Sequence, residues 1–262
     1  MANPDAPVDR FSDLDIELVV RNLPLFLADD SWIGSFGTVI AIVIEDEAAF
    51  DEKHAMRMVF YEDYSKIDFK IYGIPRFREE VLADELCEDW DVGYKVLVDK
   101  DNLTAGMRPP TYQSVLIRKP EQAEYDHIFN DFWWDMTYVA KCLCRDELFY
   151  AKFMSEDNMR TQYLVKIIEW YIGLEQGWNI TVNKKGRFFK RYLSPELWQK
   201  IEATFSGSDI EDNWDALFAY AALGRELGLV IAATLGYHYP RQLDEKISAY
   251  LHWARALGKP GS

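Results

Sequence analysis

The sequence predicts an α+β protein, a mixed β-sheet domain followed by an α-helical domain. Three observations carry this. Over the first hundred residues, β-branched and aromatic residues gather in short runs of strand length. From "KPEQAEYD" (119–126) onward the apolar period changes from 2 to 3.6. Between the two stretches, "RPPTYQ" (108–113) breaks the pattern, because proline removes a donor and fixes φ. The domains are accordingly placed at 1–117 and 118–262. A composition that is 49% hydrophobic and 15% aromatic supplies a substantial core.

Strands are expected at "LDIELVV" (14–20), "TVIAIVI" (38–44), "MRMVFYE" (56–62), "KIDFKIY" (66–72) and "YKVLVD" (94–99). The third and fourth are joined by a polar stretch of hairpin length. Helices are expected at 23–36, ending before Gly37, and at 74–86, with Pro75 in the first turn. In the second domain one helix starts at Pro120 and runs past Lys152. Others cover 158–177, 194–205, 212–237 and 242–258. Ser194 and Pro195 form a cap and first helical position.

Net charge is −15. That argues against a duplex nucleic-acid binder, which presents a basic surface, and suits a cationic ligand. The basic segment "NKKGRFFKRY" (183–192) reads in this setting as a local phosphate contact or surface hairpin. No apolar run approaches the ~18 residues of a membrane span, and the N-terminus lacks the layout of a secretory signal. Three cysteines cannot make a disulfide framework. Cys142 and Cys144 point about 160° apart on a helix. Reduced packing cysteines and a cytoplasmic location follow. The four histidines show no ligand spacing.

The chemistry is expected in carboxylates. "SDLDIELVV" opens a strand with Asp13 and Asp15, whose side chains share one face. Two acids so placed repel unless a cation lies between them, and a hard divalent ion with oxygen ligands is the usual solution. Asp68 is a lone carboxylate in an otherwise apolar strand after a short turn. Such an array suits phosphoryl or nucleotidyl transfer. A solvated strand end is the plainer reading of the D-x-D by itself.

"NPDAPVDRFSDLDIELVV" (3–20) resembles the segment of aminoglycoside 6-adenylyltransferases (streptomycin adenylyltransferases, nucleotidyltransferase superfamily) that carries their first two metal-binding acids. The resemblance continues in order through "VLVDKDNL" (96–103), "PPTYQSVLIRKPEQAEYDHIFNDFWW" (109–134), "VAKCLCRDELFYAK" (139–152), "IIEWYIGL" (167–174) and "LGYHYP" (235–240). It implies a nucleotidyltransferase-type sheet domain ahead of the helical one. It implies Mg²⁺-dependent transfer of AMP from ATP to a hydroxyl of a streptomycin-like aminoglycoside, releasing pyrophosphate. Asp13 and Asp15 match the family's metal pair. Asp68 matches its third strand carboxylate, as metal ligand or as the base that takes the hydroxyl proton.

One departure stands out. The family carries a Gly-Ser pair just upstream of "ANP", whose backbone N–H groups cradle phosphates; here Met1 and Ala2 precede Asn3. The chain is therefore expected to begin inside the fold, to leave its first strand as an edge, and to have weak or no transferase activity. A nucleotidyltransferase with another hydroxylated acceptor, or a non-catalytic protein that binds a cationic ligand, remain the alternatives.

In the helical domain, Lys141, Arg145 and Lys152 fall within about 40° on a continuous helix. They are expected to meet the nucleotide phosphates, or else to be a solvated basic face. Trp134, Asp135 and Glu147 are candidate drug contacts. Trp133 and Trp134 cannot share a face, so one belongs to the core. Asp131 and Asp135 read as a solvated pair able to hold a guanidinium. The expected partners are ATP and a cationic aminoglycoside, with no nucleic acid or membrane, in a monomer or homodimer.

Overall fold

The computed structural model describes residues 8–257. Two compact units divide the chain, Met1–Ser114 and Val115–Ser262. The first is built on a four-stranded sheet of β1 (Leu14–Val20), β2 (Val39–Glu45), β3 (Ala55–Tyr61) and β4 (Lys66–Gly73), in the order β1-β4-β3-β2. β2, β3 and β4 form an antiparallel meander. β1 pairs parallel to β4, with Asp15 opposite Asp68 and Glu17 opposite Lys70. The tight β3–β4 turn and the longer path from β1 to β4 follow from that, because a parallel neighbour needs a crossover.

Alternation along β4 sorts its side chains. Ile67, Phe69 and Ile71 face an apolar core with Val59, Tyr61, Leu23 and Ile33. Lys66, Asp68 and Lys70 take the opposite face. Leu23 lies on α1 (Leu23–Leu27) and Ile33 on a 3-10 turn, Ser31–Phe36. These two pieces replace the single helix expected over 23–36. Asp29 caps Ser31 N–H at 2.8 Å and restarts the chain, and Asp30 turns toward the buried Arg57 guanidinium at 2.9 Å. α2 (Ile74–Leu82) and α3 (Glu88–Asp91) bring Phe77, Val81 and Trp90 onto Tyr72 in a second small core.

The strand expected at 94–99 does not form. Its residues take no regular structure, and Leu97 and Val98 are exposed. A β-branched run becomes a strand only where a ladder partner accepts it, and among the described residues none does.

The second unit is helical: α4 (Gln122–Cys144), α5 (Leu148–Lys152), a wide π-type stretch Phe153–Leu164, α6 (Val165–Glu175), α7 (Phe189–Tyr192), α8 (Pro195–Glu202), α9 (Ile210–Leu235) and α10 (Arg241–Ala256). Its core is aromatic-rich, with Tyr125, Phe129, Phe132, Trp133, Trp170 and Tyr220 buried together. Two glycines let α9 approach α4. A Cβ at Gly224 would meet the Phe132 ring at 2.4 Å, and one at Gly228 the Phe129 ring at 2.5 Å. α9 is the one described helix long and apolar enough to cross a membrane, with 56% of its apolar window buried in the protein. The expectation that no run approaches a membrane span is therefore corrected by length and composition.

Candidate active site

The parallel β1–β4 pair builds the carboxylate cluster. Asp15 and Asp68 are register neighbours on one sheet face. Asp13 sits one residue before β1 begins. Lys66, two residues before Asp68 and therefore on the same face, reaches across. Its Nζ donates to Asp13 Oδ2 at 3.0 Å and to Asp68 Oδ2 at 2.9 Å. Asp68, and more weakly Asp13, hold the Lys66 ammonium above its ordinary pKa against the opposing pull of burial. Sequence reasoning missed this lysine; the alternation Lys66-Asp68-Lys70 was the signal that would have found it.

Asp68 is the most enclosed member of the ion-paired trio, with a side chain 15% exposed against 45% for Asp13. Its Oδ1 is buried and has no hydrogen-bond donor. Among the described residues, no three His, Cys, Asp or Glu side chains stand close enough to hold a metal ion, and a lysine ammonium lies between Asp13 and Asp68. The residues nonetheless fit a hard cation. A positive charge already bridges two carboxylates, and a buried carboxylate oxygen beside it lacks a partner.

Further along the same face, Glu17 accepts from Trp90 Nε1 at 2.8 Å and lies 4.0 Å from Lys70, which pairs with Asp89 at 2.7 Å. Burial pushes the Glu17 carboxyl up, only partly offset by Trp90 and Lys70. At the other end of the cluster a cavity of about 390 Å³ opens beside Asp13 and Lys66, walled by Arg10, Phe11, Phe60 and Tyr64.

The helical unit distributes the other candidates differently from a single stripe. α4 ends at Cys144, and Asp146 takes a positive φ of 58° before α5 starts. The continuous helix that would align Lys141, Arg145 and Lys152 is therefore broken. Lys141 Nζ lies over the Tyr138 ring at 4.1 Å. Arg145 caps α4 and is exposed. Lys152 Nζ donates to the carbonyl and hydroxyl of Ser206 at 2.7 and 2.8 Å.

Trp133 is fully buried and Trp134 is 60% exposed, which splits the tandem pair as the helix period requires. Glu147 is exposed at the start of α5. Asp135 is not solvated. It is buried, and it accepts from Asn158 Nδ2 at 2.5 Å and Tyr163 Oη at 2.9 Å. Both donors come from the π-type stretch, whose winding the apolar period did not announce. Asp131 instead faces His127, at 3.6 Å.

Comparison with known proteins agrees with this architecture. The family model described as streptomycin adenylyltransferase matches residues 1–254. An aminoglycoside 6-adenylyltransferase of Campylobacter jejuni is 34% identical over 252 residues, covering 95% of this chain and 84% of that protein. One from Bacillus subtilis (strain 168) is 31% identical, covering 95% and 86%. The crystal structure of an aminoglycoside 6-adenyltransferase from Bacillus subtilis superposes with a TM-score of 0.51 at 26% identity, over 92% of this chain and 88% of that one. With a matching family model over nearly its whole length and an α+β fold shared with a solved relative, this chain is a nucleotidyltransferase and belongs to the streptomycin adenylyltransferase family.

Proposed function

We propose that the protein transfers AMP from Mg·ATP to a hydroxyl of a streptomycin-like aminoglycoside and releases pyrophosphate. The observation that carries this, beside the family match, is the Asp13–Lys66–Asp68 bridge with Asp15 opposite Asp68. Asp13, Asp15 and Asp68 would hold the Mg²⁺, which when bound neutralises charge on the attacking and leaving oxygens. The two oxygens of Asp68 have different surroundings. Oδ2 faces the bridging cation. Oδ1 is buried and has no donor, and Asp68 serves either as a metal ligand or as the base that takes the proton of the acceptor hydroxyl. The hydroxyl oxygen then bonds to the α-phosphorus as the bond to the bridging β-oxygen breaks, and pyrophosphate carries that electron pair away.

Lys141, Arg145 and Lys152 are proposed phosphate contacts. Of these, Lys152 would first have to leave Ser206. Trp134, Asp135 and Glu147 are proposed drug contacts, Asp135 by exchanging its Asn158 and Tyr163 donors for those of the drug.

The test is pyrophosphate release from Mg·ATP with and without streptomycin, for the wild type and for Asp68→Asn. Streptomycin-dependent release lost in the variant supports the proposal. Release that ignores streptomycin moves the acceptor elsewhere, and no release by the wild type removes the activity.

A further inference from the structure

We propose that α3 clamps β1 to β4 through Glu17 and Lys70, and that these two are positioning residues that keep Asp15 opposite Asp68, a proposal that rests on the metal reading above. Asp15 and Asp68 are register neighbours on one sheet face. Two carboxylates directly opposite each other repel, and an unpinned pair of strands would relax by drawing them apart. β1 has one ladder neighbour, β4, so it is the strand able to yield. The rungs on either side are tied. On one side Lys66 bridges Asp13 and Asp68. On the other, two residues further along each strand, Glu17 stands opposite Lys70 on the same face.

α3 closes that second rung. Its Trp90 donates Nε1–H to both oxygens of Glu17 on β1, each at 2.8 Å, and its Asp89 accepts from Lys70 Nζ on β4 at 2.7 Å. Glu17 and Lys70 themselves lie 4.0 Å apart, with side chains 28% and 15% exposed. Adjacent residues of one short helix therefore hold both strands. The donor is itself fixed, because the Trp90 ring is buried with Tyr72, Phe77 and Val81. Packing alone asks for no charge in this place. An enclosed ion pair adds little net stability, because desolvation offsets attraction; what it supplies here is a set geometry. Residues that support metal-binding carboxylates act by holding the ligands in the arrangement the ion needs.

The experiment is Mn²⁺ titration of the full chain followed by electron paramagnetic resonance, well below the Tm of every protein compared. Glu17→Leu should weaken Mn²⁺ binding about tenfold, the lower end of the range for such supporting residues. Trp90→Phe, which keeps an aromatic ring in the small core and removes the N–H donor, should weaken it similarly. Glu17→Gln keeps an acceptor for Trp90 and should stay within about twofold of the wild type, although it removes the same charge as Glu17→Leu. Lys70→Met tests the sign. Removing a cation near the acids would by charge alone tighten Mn²⁺ binding, whereas loss of the clamp should weaken it. Unchanged affinity in Glu17→Leu with only a lower Tm, an equal loss in Glu17→Gln, or tighter binding in Lys70→Met would each overturn the proposal and leave the metal reading standing. A wild type that binds no Mn²⁺ would overturn the metal reading and this proposal with it.

Discussion

Replacing Lys66 with Gln should make the carboxylate cluster a tighter site for a divalent cation. Lys66 Nζ stands 3.0 Å from Asp13 and 2.9 Å from Asp68, and any incoming cation competes with it. In bulk water each pair at that distance is worth about 1.4 kcal/mol by Coulomb's law. Partial exposure of Lys66 and Asp13 screens the first pair to about 0.5–1 kcal/mol; the Asp68 pair, more enclosed, keeps more. Together they oppose a cation by about 1–3 kcal/mol, or roughly five- to a hundredfold in affinity at ~1.4 kcal/mol per tenfold. Mn²⁺ titration followed by electron paramagnetic resonance reads this directly, at fixed ionic strength and without catalysis. The wild type should bind weakly, Lys66→Gln more tightly, and Lys66→Gln with Asp68→Asn no better than the wild type. Equal affinity in the wild type and Lys66→Gln would refute the competition, and absence of Mn²⁺ binding in both would refute the metal site itself.

Three further outcomes follow from other parts of the fold. Asp91, 6% exposed, accepts from Thr111 N–H at 2.6 Å, Thr111 Oγ1 at 2.7 Å and Ser114 N–H at 2.9 Å, so Asp91→Ala should cost about 3 kcal/mol in urea unfolding. Burial pushes the Asp91 carboxyl up, but these donors together hold it well below the ordinary range. Its contribution is therefore complete above about pH 4 and lost only as pH falls through that lowered value. His54, stacked on Phe50 with ring centroids 4.3 Å apart, is pushed down to about 4 by burial and then by Lys70. The unfolded chain binds that proton first, so stability should fall as pH drops from about 6.5 towards 4, and His54→Leu should flatten that slope in thermal scans. Gly224→Ala should destabilise by about 1–2 kcal/mol in chemical denaturation, because overpacking against Phe132 outweighs the helix propensity gained.

The residue pattern by itself determined the α+β class, because a period of 2 and a period of 3.6 are written directly in "KIDFKIY" and in "WWDMTYVAKCL". It determined the family, because ordered segments from residue 3 to residue 240 carry the resemblance, and the matching family model agrees. It determined that Trp133 and Trp134 must part, since helical neighbours diverge by ~100°. What it left open depends on partners distant in sequence. "YKVLVD" has strand composition but no ladder partner among the described residues, and a strand needs one. Asp135 looked solvated beside Asp131 until the π-type stretch brought Asn158 and Tyr163 onto it, 23 and 28 residues away. Lys152 aligns with Lys141 only on an unbroken helix, and the turn at Asp146 separates them. The candidate site shows the same division. Asp13, Asp15 and Asp68 were legible as acids in and beside strands. That Asp15 faces Asp68 across a parallel ladder, and that Lys66 bridges Asp13 to Asp68, was decided by register. Register is set by which faces the folded core buries, and the local pattern does not contain it.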